Sequence, residues 1–410
     1  MKELHTGQLY WPTTRSDSRP YPALKEAATA QVAIIGGGMS GINCAYAFST
    51  AGLDTLLVER GEIAEGSTSA NTGMLQYCND TMLCDLIDQI GKTNAQLFYK
   101  RCLQAVDELE QAAASLPVSV GFKRRSSLYF ASTEQDLPKL RKEYEALREA
   151  CLPVEFWTAD EIAKHFPFKK PGAIITHGDA EVNPFHFVNT LADAAAKAGA
   201  RLHEHTDIVR HEKLPDGRHR LHTSRGHTID ADYIVCAVGY EPEELRSKLV
   251  QSNMNRSYSI VTQPMPEPLL KQWHQQWLIW ETARPYLYMR TTEEGRIIAG
   301  GLDEGIEQPV HSEEILRKRG EQLLDKIQSL FPDWPLAIEY RWNATFGESR
   351  DNLPFIGEDP ALPGVYYSLG YGGNGTVYSM IGARTILGLL QGEYASHPLP
   401  FIGIRTSATS

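Results

Sequence analysis

Val32-Ala-Ile-Ile-Gly-Gly-Gly-Met-Ser-Gly-Ile-Asn-Cys-Ala-Tyr-Ala-Phe-Ser-Thr-Ala-Gly-Leu-Asp-Thr-Leu-Leu-Val-Glu59 is an apolar strand, a glycine turn, a helix and a second apolar strand that ends in an acid. That order is a dinucleotide-binding βαβ unit, in which each part has a physical task. Gly36 allows the tight turn that leaves the strand, Gly38 lets backbone approach a pyrophosphate, and Gly41 permits close helix-to-strand packing. The helix opens at Met39 and Ser40 and offers free N–H groups and a positive dipole end to phosphates. Glu59, followed by Arg60 and roughly 20 residues downstream of the turn, is placed to accept hydrogen bonds from a ribose hydroxyl pair. Its charge argues against a 2′-phosphate.

The rest of the chain sets bounds on that unit. At 410 residues it exceeds what one core usually supports, so two domains are expected. Its 42% hydrophobic and 22% charged content describe an ordinary globular protein, and its apolar runs stop short of a membrane span. No transmembrane segment is expected, and the start, Met-Lys-Glu-Leu-His, has no apolar signal core, which favours the cytoplasm. Six cysteines without Cys-x-x-Cys spacing argue against zinc or a disulfide framework. Among thirteen histidines no pair has metal-helix spacing beside an acid, so no metal is expected. A net charge of −11 excludes nucleic acid as a partner, since Lys123-Arg124-Arg125 is too short to reverse it.

Residues 1 to 30 are proline-punctuated, carry Tyr10, Trp11 and Tyr21, and read as an arm on a domain surface. The pattern from Cys84 to Leu116 predicts one long amphipathic helix ended by Pro117. A second surface helix is expected near 133 to 151, and Thr158-x-x-Glu161 has capping-box spacing for a short helix that stops before Pro167. An alanine-rich helix follows Asn183-Pro184, then a strand ends near Ile208 and Val209. Asp230 to Gly239 is a buried strand that runs into a turn. Between about 240 and 340 the pattern becomes alternating strands with one polar helix at 312 to 330.

Taken in order, four motifs resemble the D-amino-acid oxidase superfamily of flavoproteins, especially its glycine, sarcosine and γ-glutamylputrescine oxidase branch. The βαβ unit with Glu59 is similar to the family's FAD adenosine site. Gly66-Ser67-Thr68-Ser69-Ala70-Asn71-Thr72-Gly73-Met74 resembles its loop along the flavin. The strand through Ala237 to Gly239 resembles the turn that closes over the nucleotide, with Ile208 nearby. Asp351 to Gly357 and Gly370-Tyr371-Gly372-Gly373-Asn374-Gly375-Thr376 resemble the paired elements that hold the ring, and Gly347 just precedes them. A second glycine turn opening a helix suits the negative charge of a reduced flavin better than it suits a nicotinamide.

The resemblance implies an α/β fold: an FAD-binding Rossmann-like βαβ domain and a second, mostly antiparallel-sheet α+β substrate domain. The expected boundaries are an arm at 1–30, a discontinuous FAD-binding domain at 31–83, 165–240 and 341–410, and a substrate domain at 84–164 and 241–340. Covalent members have a cysteine about where Ala344 falls or a histidine near Ser69 and Ala70, so the FAD is expected to be noncovalent. Members that oxidise amino acids hold the carboxylate with a basic residue at places that match Phe346, Gly373, Val377 or Gly73, and none is basic here.

Arg284-Pro-Tyr-Leu-Tyr-Met-Arg290 reads as a strand with Arg284, Tyr286, Tyr288 and Arg290 on one face and Leu287 and Met289 on the other. Alternation alone leaves open whether the polar face meets a ligand or solvent. The substrate-pocket candidates are Arg284, Tyr286, Tyr288, Phe346, Glu348 and Asn374; Trp280-Glu281 and Asp303-Glu304 are further candidates to hold an ammonium group. No catalytic residue is assigned. The expected activity is oxidation of a C–N bond of a small-molecule amine or amino acid to an imine, by hydride transfer to flavin N5, with oxygen or another acceptor reoxidising the flavin. An FAD-dependent 2-hydroxy-acid dehydrogenase and a non-catalytic flavin-binding protein are the alternatives.

Overall fold

A computed structural model describes residues 4–15, 20–240 and 252–393. The remaining parts of the expected arm, substrate domain and carboxy-terminal stretch lie outside the described residues.

Two sheets organise the described chain. The smaller has eight strands, in the order Phe355–Glu358, Val365–Leu369, Thr228–Cys236, Ala28–Ile35, Thr55–Val58 and Arg201–His203, with the hairpin Ile208–Lys213 and His219–Thr223 attached to Thr228–Cys236. The strands from Val365–Leu369 to Arg201–His203 are parallel. Helices Met39–Thr50, Pro184–Lys197 and Gly375–Leu390 cover one face, with Lys92–Ala114 packed behind the last. This explains why residues 32–35 are an unbroken apolar run: both faces of a central parallel strand are buried.

The larger sheet has ten strands and is almost entirely antiparallel; Leu278–Glu281 runs parallel to Lys123–Phe130. Helix Glu313–Leu330, capped by Ser312, buries Leu316, Leu323, Ile327 and Leu330 in the core with Ile260, Ile279 and Met289. No helix among the described residues is long and apolar enough to cross a membrane.

Several elements differ from the sequence expectation. The helix expected from Cys84 to Leu116 is two helices, Leu83–Ile90 and Lys92–Ala114, because Gly91 between them has φ +83°. Gly172–Glu181, expected in the FAD-binding portion, pairs with Lys123–Phe130 in the larger sheet, and residues 341–349 also belong there, since Ile338–Ser349 is one strand paired along Ser252–Thr262. The amino-terminal arm is partly built in: His5–Gly7 pairs with Ile338–Ser349, and Tyr10 and Trp11 are buried. The strand expected to end near Ile208 is two, Arg201–His203 and Ile208–Lys213. The strand expected from Arg284 starts at Leu287, since Pro285 has no N–H to donate to a ladder.

Candidate active site

The carboxy ends of the parallel strands and the facing side of the larger sheet enclose a cleft of about 570 Å³. At one end lies the glycine turn. A Cβ on Gly36 would stand 2.4 Å from the Ala237 carbonyl oxygen, so the turn is closed against the neighbouring strand. The helix Met39–Thr50 has no side-chain cap at Gly38 and no acid in its first turn, which leaves its positive end available to an anion. Thr68 Oγ1 accepts from the Met39 N–H at 3.0 Å and ties the helix to the loop at 66–74. Glu59 accepts from the Gly37 N–H at 2.6 Å and the Gly61 N–H at 2.8 Å, and burial pushes its carboxyl pKa up. Those two bonds leave lone pairs free on each oxygen.

The loop at 66–74 is held from behind by three donors from separate parts of the chain. Trp342 Nε1 donates to the Ala70 carbonyl at 2.8 Å, Trp11 Nε1 to that of Asn71 at 2.6 Å, and Arg290 Nε to that of Thr72 at 2.8 Å. Within the loop, the Asn71 side chain accepts from the Gly73 N–H at 2.8 Å. Across the cleft, helix Gly375–Leu390 begins at Asn374 without a side-chain cap. The Asn374 side chain instead donates to the carbonyls of Gln76 and Cys78 and to Asn79 Oδ1. Tyr240 and Tyr371 stack at 5.3 Å, and the Tyr371 hydroxyl donates to the Gly239 carbonyl at 3.1 Å, joining the two turns.

The far wall comes from the larger sheet: Ser257, Trp280, Tyr286, Tyr288 and Asp303. Burial first, then the charges of Asp80 and Glu348, push the Asp303 carboxyl up to about 6, against a hydrogen bond from Ser257 and the charge of Arg284. Asp303 Oδ1 has no hydrogen-bond partner.

The family model described as "DAO: FAD dependent oxidoreductase" matches residues 31–388. The chain belongs to this family of FAD-dependent oxidoreductases. Among relatives, it is 23% identical to "Gamma-glutamylputrescine oxidoreductase" of Escherichia coli (strain K12), over 98% of this chain and 94% of that protein. It is 24% identical to "Glycine oxidase" of Geobacillus kaustophilus (strain HTA426), over 90% and 95%. The crystal structure of glycine oxidase from Geobacillus kaustophilus shares the fold with a TM-score of 0.76 at 22% identity, covering 94% of this chain and 100% of that one. That of L-proline dehydrogenase from P. horikoshii gives 0.75 at 17%, covering 92% and 98%.

Within this flavoenzyme family fold, most of the residues singled out in the sequence line the cleft. At the nucleotide end these are Gly36, Gly38, Met39, Ser40, Glu59, Arg60, Ile208, Ala237 and Gly239. Along the loop they are Gly66, Ser67, Thr68, Asn71, Thr72, Gly73 and Met74, and at the second turn Gly372, Gly373, Asn374, Gly375 and Thr376. Tyr286, Tyr288 and Phe346 line it too.

Five others do not. A Cβ on Gly41 would fall 1.8 Å from the Gly36 carbonyl oxygen, so Gly41 serves packing. Ser69 turns back to donate to the carbonyls of Glu65 and Gly66. Gly347 stands behind the second turn, its carbonyl accepting from the Gly372 N–H at 2.9 Å. Arg284 is exposed, its guanidinium 4.7 Å over the Tyr286 ring, and Glu348 accepts from Asn255 at 2.6 Å. Sequence reasoning missed Asp80, Ser257, Trp11 and Trp342 as parts of the site. Only the aromatic pair Tyr10-Trp11 gave a signal, and it spoke of burial, not of a loop to hold.

Proposed function

We propose that this protein oxidises a C–N bond of a small-molecule amine or amino acid to an imine, using noncovalently held FAD. The observation that carries the reading is the cleft itself, which joins an uncapped helix end and Glu59 to a wall of Trp280, Tyr286, Tyr288 and Asp303. The residues present fit the cofactor. Gly36, Gly38, Met39 and Ser40 would face the pyrophosphate, and Glu59 has lone pairs left for ribose hydroxyls. The loop at 70–74 and the turn at 372–376 would flank the ring, the latter with a positive helix end. When bound, the flavin supplies an acceptor for the two electrons that leave the substrate carbon.

Noncovalent attachment is supported by the lining. Ala344 offers no nucleophile, and burial pushes the Cys78 thiol well above its ordinary pKa, so it stays protonated. The names of the relatives support an amine or amino-acid substrate for this chain. The wall residues would orient the substrate, and burial beneath the larger sheet favours the neutral amine that C–N oxidation requires.

Purified protein is expected to be yellow and to release intact FAD on denaturation. Without oxygen, an amine or amino acid is expected to bleach the flavin absorbance. Bleaching by 2-hydroxy acids and by no amine or amino acid would overturn the reading, and so would flavin that stays with the denatured polypeptide for its noncovalent part.

A further inference from the structure

Several acids of the larger sheet are neutralised by a neighbouring cation. Glu304 pairs with Arg256 and Arg319, Glu281 with Lys326, and Glu181 with Arg125. Asp80 and Asp303, which line the cleft, and Glu348, which does not, have no such ion-pair partner among the described residues. Asp80 and Glu348 both raise the pKa of Asp303, and Asp80 raises that of Glu348, while the charge of Arg284 opposes both shifts.

The surroundings orient these acids without discharging them. Asp80 accepts from the Tyr286 hydroxyl at 3.3 Å and the Gly373 N–H at 3.0 Å, which holds it at the second turn. Tyr286 and Tyr288 stand 5.4 Å apart, and Trp280 stacks on Tyr129 at 3.7 Å. Trp280 lines the cleft, is only 5% exposed, and its Nε1 has no partner. Arg60 and His5 are the basic side chains that line the cleft among the described residues, and both sit beside the nucleotide-end residues Glu59 and Glu65. No group of three His, Cys, Asp or Glu among the described residues is arranged to hold a metal ion, so an organic cation is the charge that fits.

Resting on the amine reading above, we propose that the substrate is an alkyl diamine without an α-carboxylate, whose distal ammonium is held by Asp80 and Asp303 beside the rings of Tyr286 and Trp280, with the charge of Glu348 acting from outside the lining. The nitrogen to be oxidised must be neutral, because its lone pair forms the imine. Carboxylates favour a protonated nitrogen, so the charge they hold belongs to a second nitrogen. An α-carboxylate would meet Asp80 and Asp303 at that end of the cleft, where no basic side chain lines it among the described residues and the exposed Arg284 acts only from outside. In the reaction the carbon beside the neutral nitrogen loses a hydride to the flavin, and the nitrogen loses a proton to water as the C=N bond forms. The distal ammonium is unchanged.

The test is anaerobic reduction of the holoenzyme flavin by 1,4-diaminobutane, butylamine, glycine and sarcosine. It is paired with calorimetric titration of 1,4-bis(trimethylammonio)butane, a dication with no nitrogen lone pair. We expect reduction by the diamine with an apparent affinity at least roughly tenfold better than that of butylamine, and none by the amino acids. Asp303→Asn is expected to weaken calorimetric binding of the dication by roughly tenfold and Glu348→Gln, outside the lining, by less, with an unchanged flavin spectrum as the check on folding. Reduction by glycine or sarcosine but not by the diamine, or equal use of butylamine and the diamine, overturns this inference and leaves the amine or amino-acid reading standing. Reduction by none of the four, with no binding of the dication, overturns it as well, and failure of all other amines and amino acids overturns both.

Discussion

The indole Nε1 of Trp11 donates to the backbone carbonyl of Asn71 across 2.6 Å, and so ties the amino-terminal segment to the loop that lines the cleft. With Trp342 on Ala70 and Arg290 on Thr72, three successive carbonyls are fixed to the protein side. A planar trans peptide sends the following N–H the opposite way, so the clamp also fixes the N–H directions of Asn71, Thr72 and Gly73. The loop is thus oriented before any ligand arrives, which lowers the ordering cost of binding.

Trp11→Phe keeps a ring beneath the Arg290 guanidinium, 5.2 Å away, but leaves the Asn71 carbonyl unpaired. The expected cost is about 1–3 kcal/mol, felt in FAD affinity as well as in thermal stability. Fluorescence titration of the apoprotein with FAD and melting of both forms check it. A lowered melting temperature with unchanged FAD affinity would reduce the clamp to a packing contact.

Arg290 makes the heaviest demand on its surroundings. It is 2% exposed, burial pulls its pKa down while Glu181 opposes, and it donates to the carbonyls of Thr72, Val182 and Thr291. Arg290→Met leaves those carbonyls unpaired and is expected to cost about 3–5 kcal/mol in urea unfolding. Arg290→Lys is expected to rescue little, because an ammonium on a flexible stem cannot reproduce the planar fork. A full rescue by lysine would show that the charge alone matters.

How much of this was legible depended on how local the cause was. The turn from Gly36 to Glu59 was legible because every part lies within one βαβ unit, and Thr158 with Glu161 forms the capping box that its spacing predicts. The break at Gly91 was not, because one glycine in a helical pattern is compatible with a continuous helix until its φ is known. The sheet membership of Gly172–Glu181 was hidden for another reason: its partners Lys123–Phe130 and Val154–Thr158 are chosen by tertiary packing. Asp80 sits in Cys78-Asn79-Asp80-Thr81, which reads as a polar loop, and only its approach to Gly373 and Tyr286 brings it to the cleft. The face shared by Tyr286, Tyr288 and Arg290 was legible as a face, but what it touches was not.

Gly41 gives the strictest steric prediction. Its missing Cβ would overlap the Gly36 carbonyl oxygen at 1.8 Å, and that contact is backbone, which cannot rotate away. Gly41→Ala is therefore expected to open the turn and abolish FAD retention, by the logic that overpacking forces backbone shifts of about 1–3 kcal/mol or more. Flavin content after purification measures it, and wild-type content would show that helix and strand can separate without loss of the site.

Asp303 gives a prediction whose sign follows from its position. Its carboxyl is raised from the ordinary 3.8 to about 6, chiefly by burial, so between those values the folded protein holds more protons than the unfolded chain. The stability associated with the protonated acid is fully present below the unfolded pKa and is lost as pH rises through about 6. Asp303→Asn stays neutral at every pH and escapes that loss. In the absence of substrate the variant should therefore gain in melting temperature over the wild type as pH rises from 5 to 8, by roughly 1–3 °C. Dication binding should move the opposite way, since the wild type gains its charge over the same window while the variant never does. A melting difference that stays flat from pH 5 to 8 would mean that Asp303 is ionised throughout, with water or a counter-ion compensating its burial.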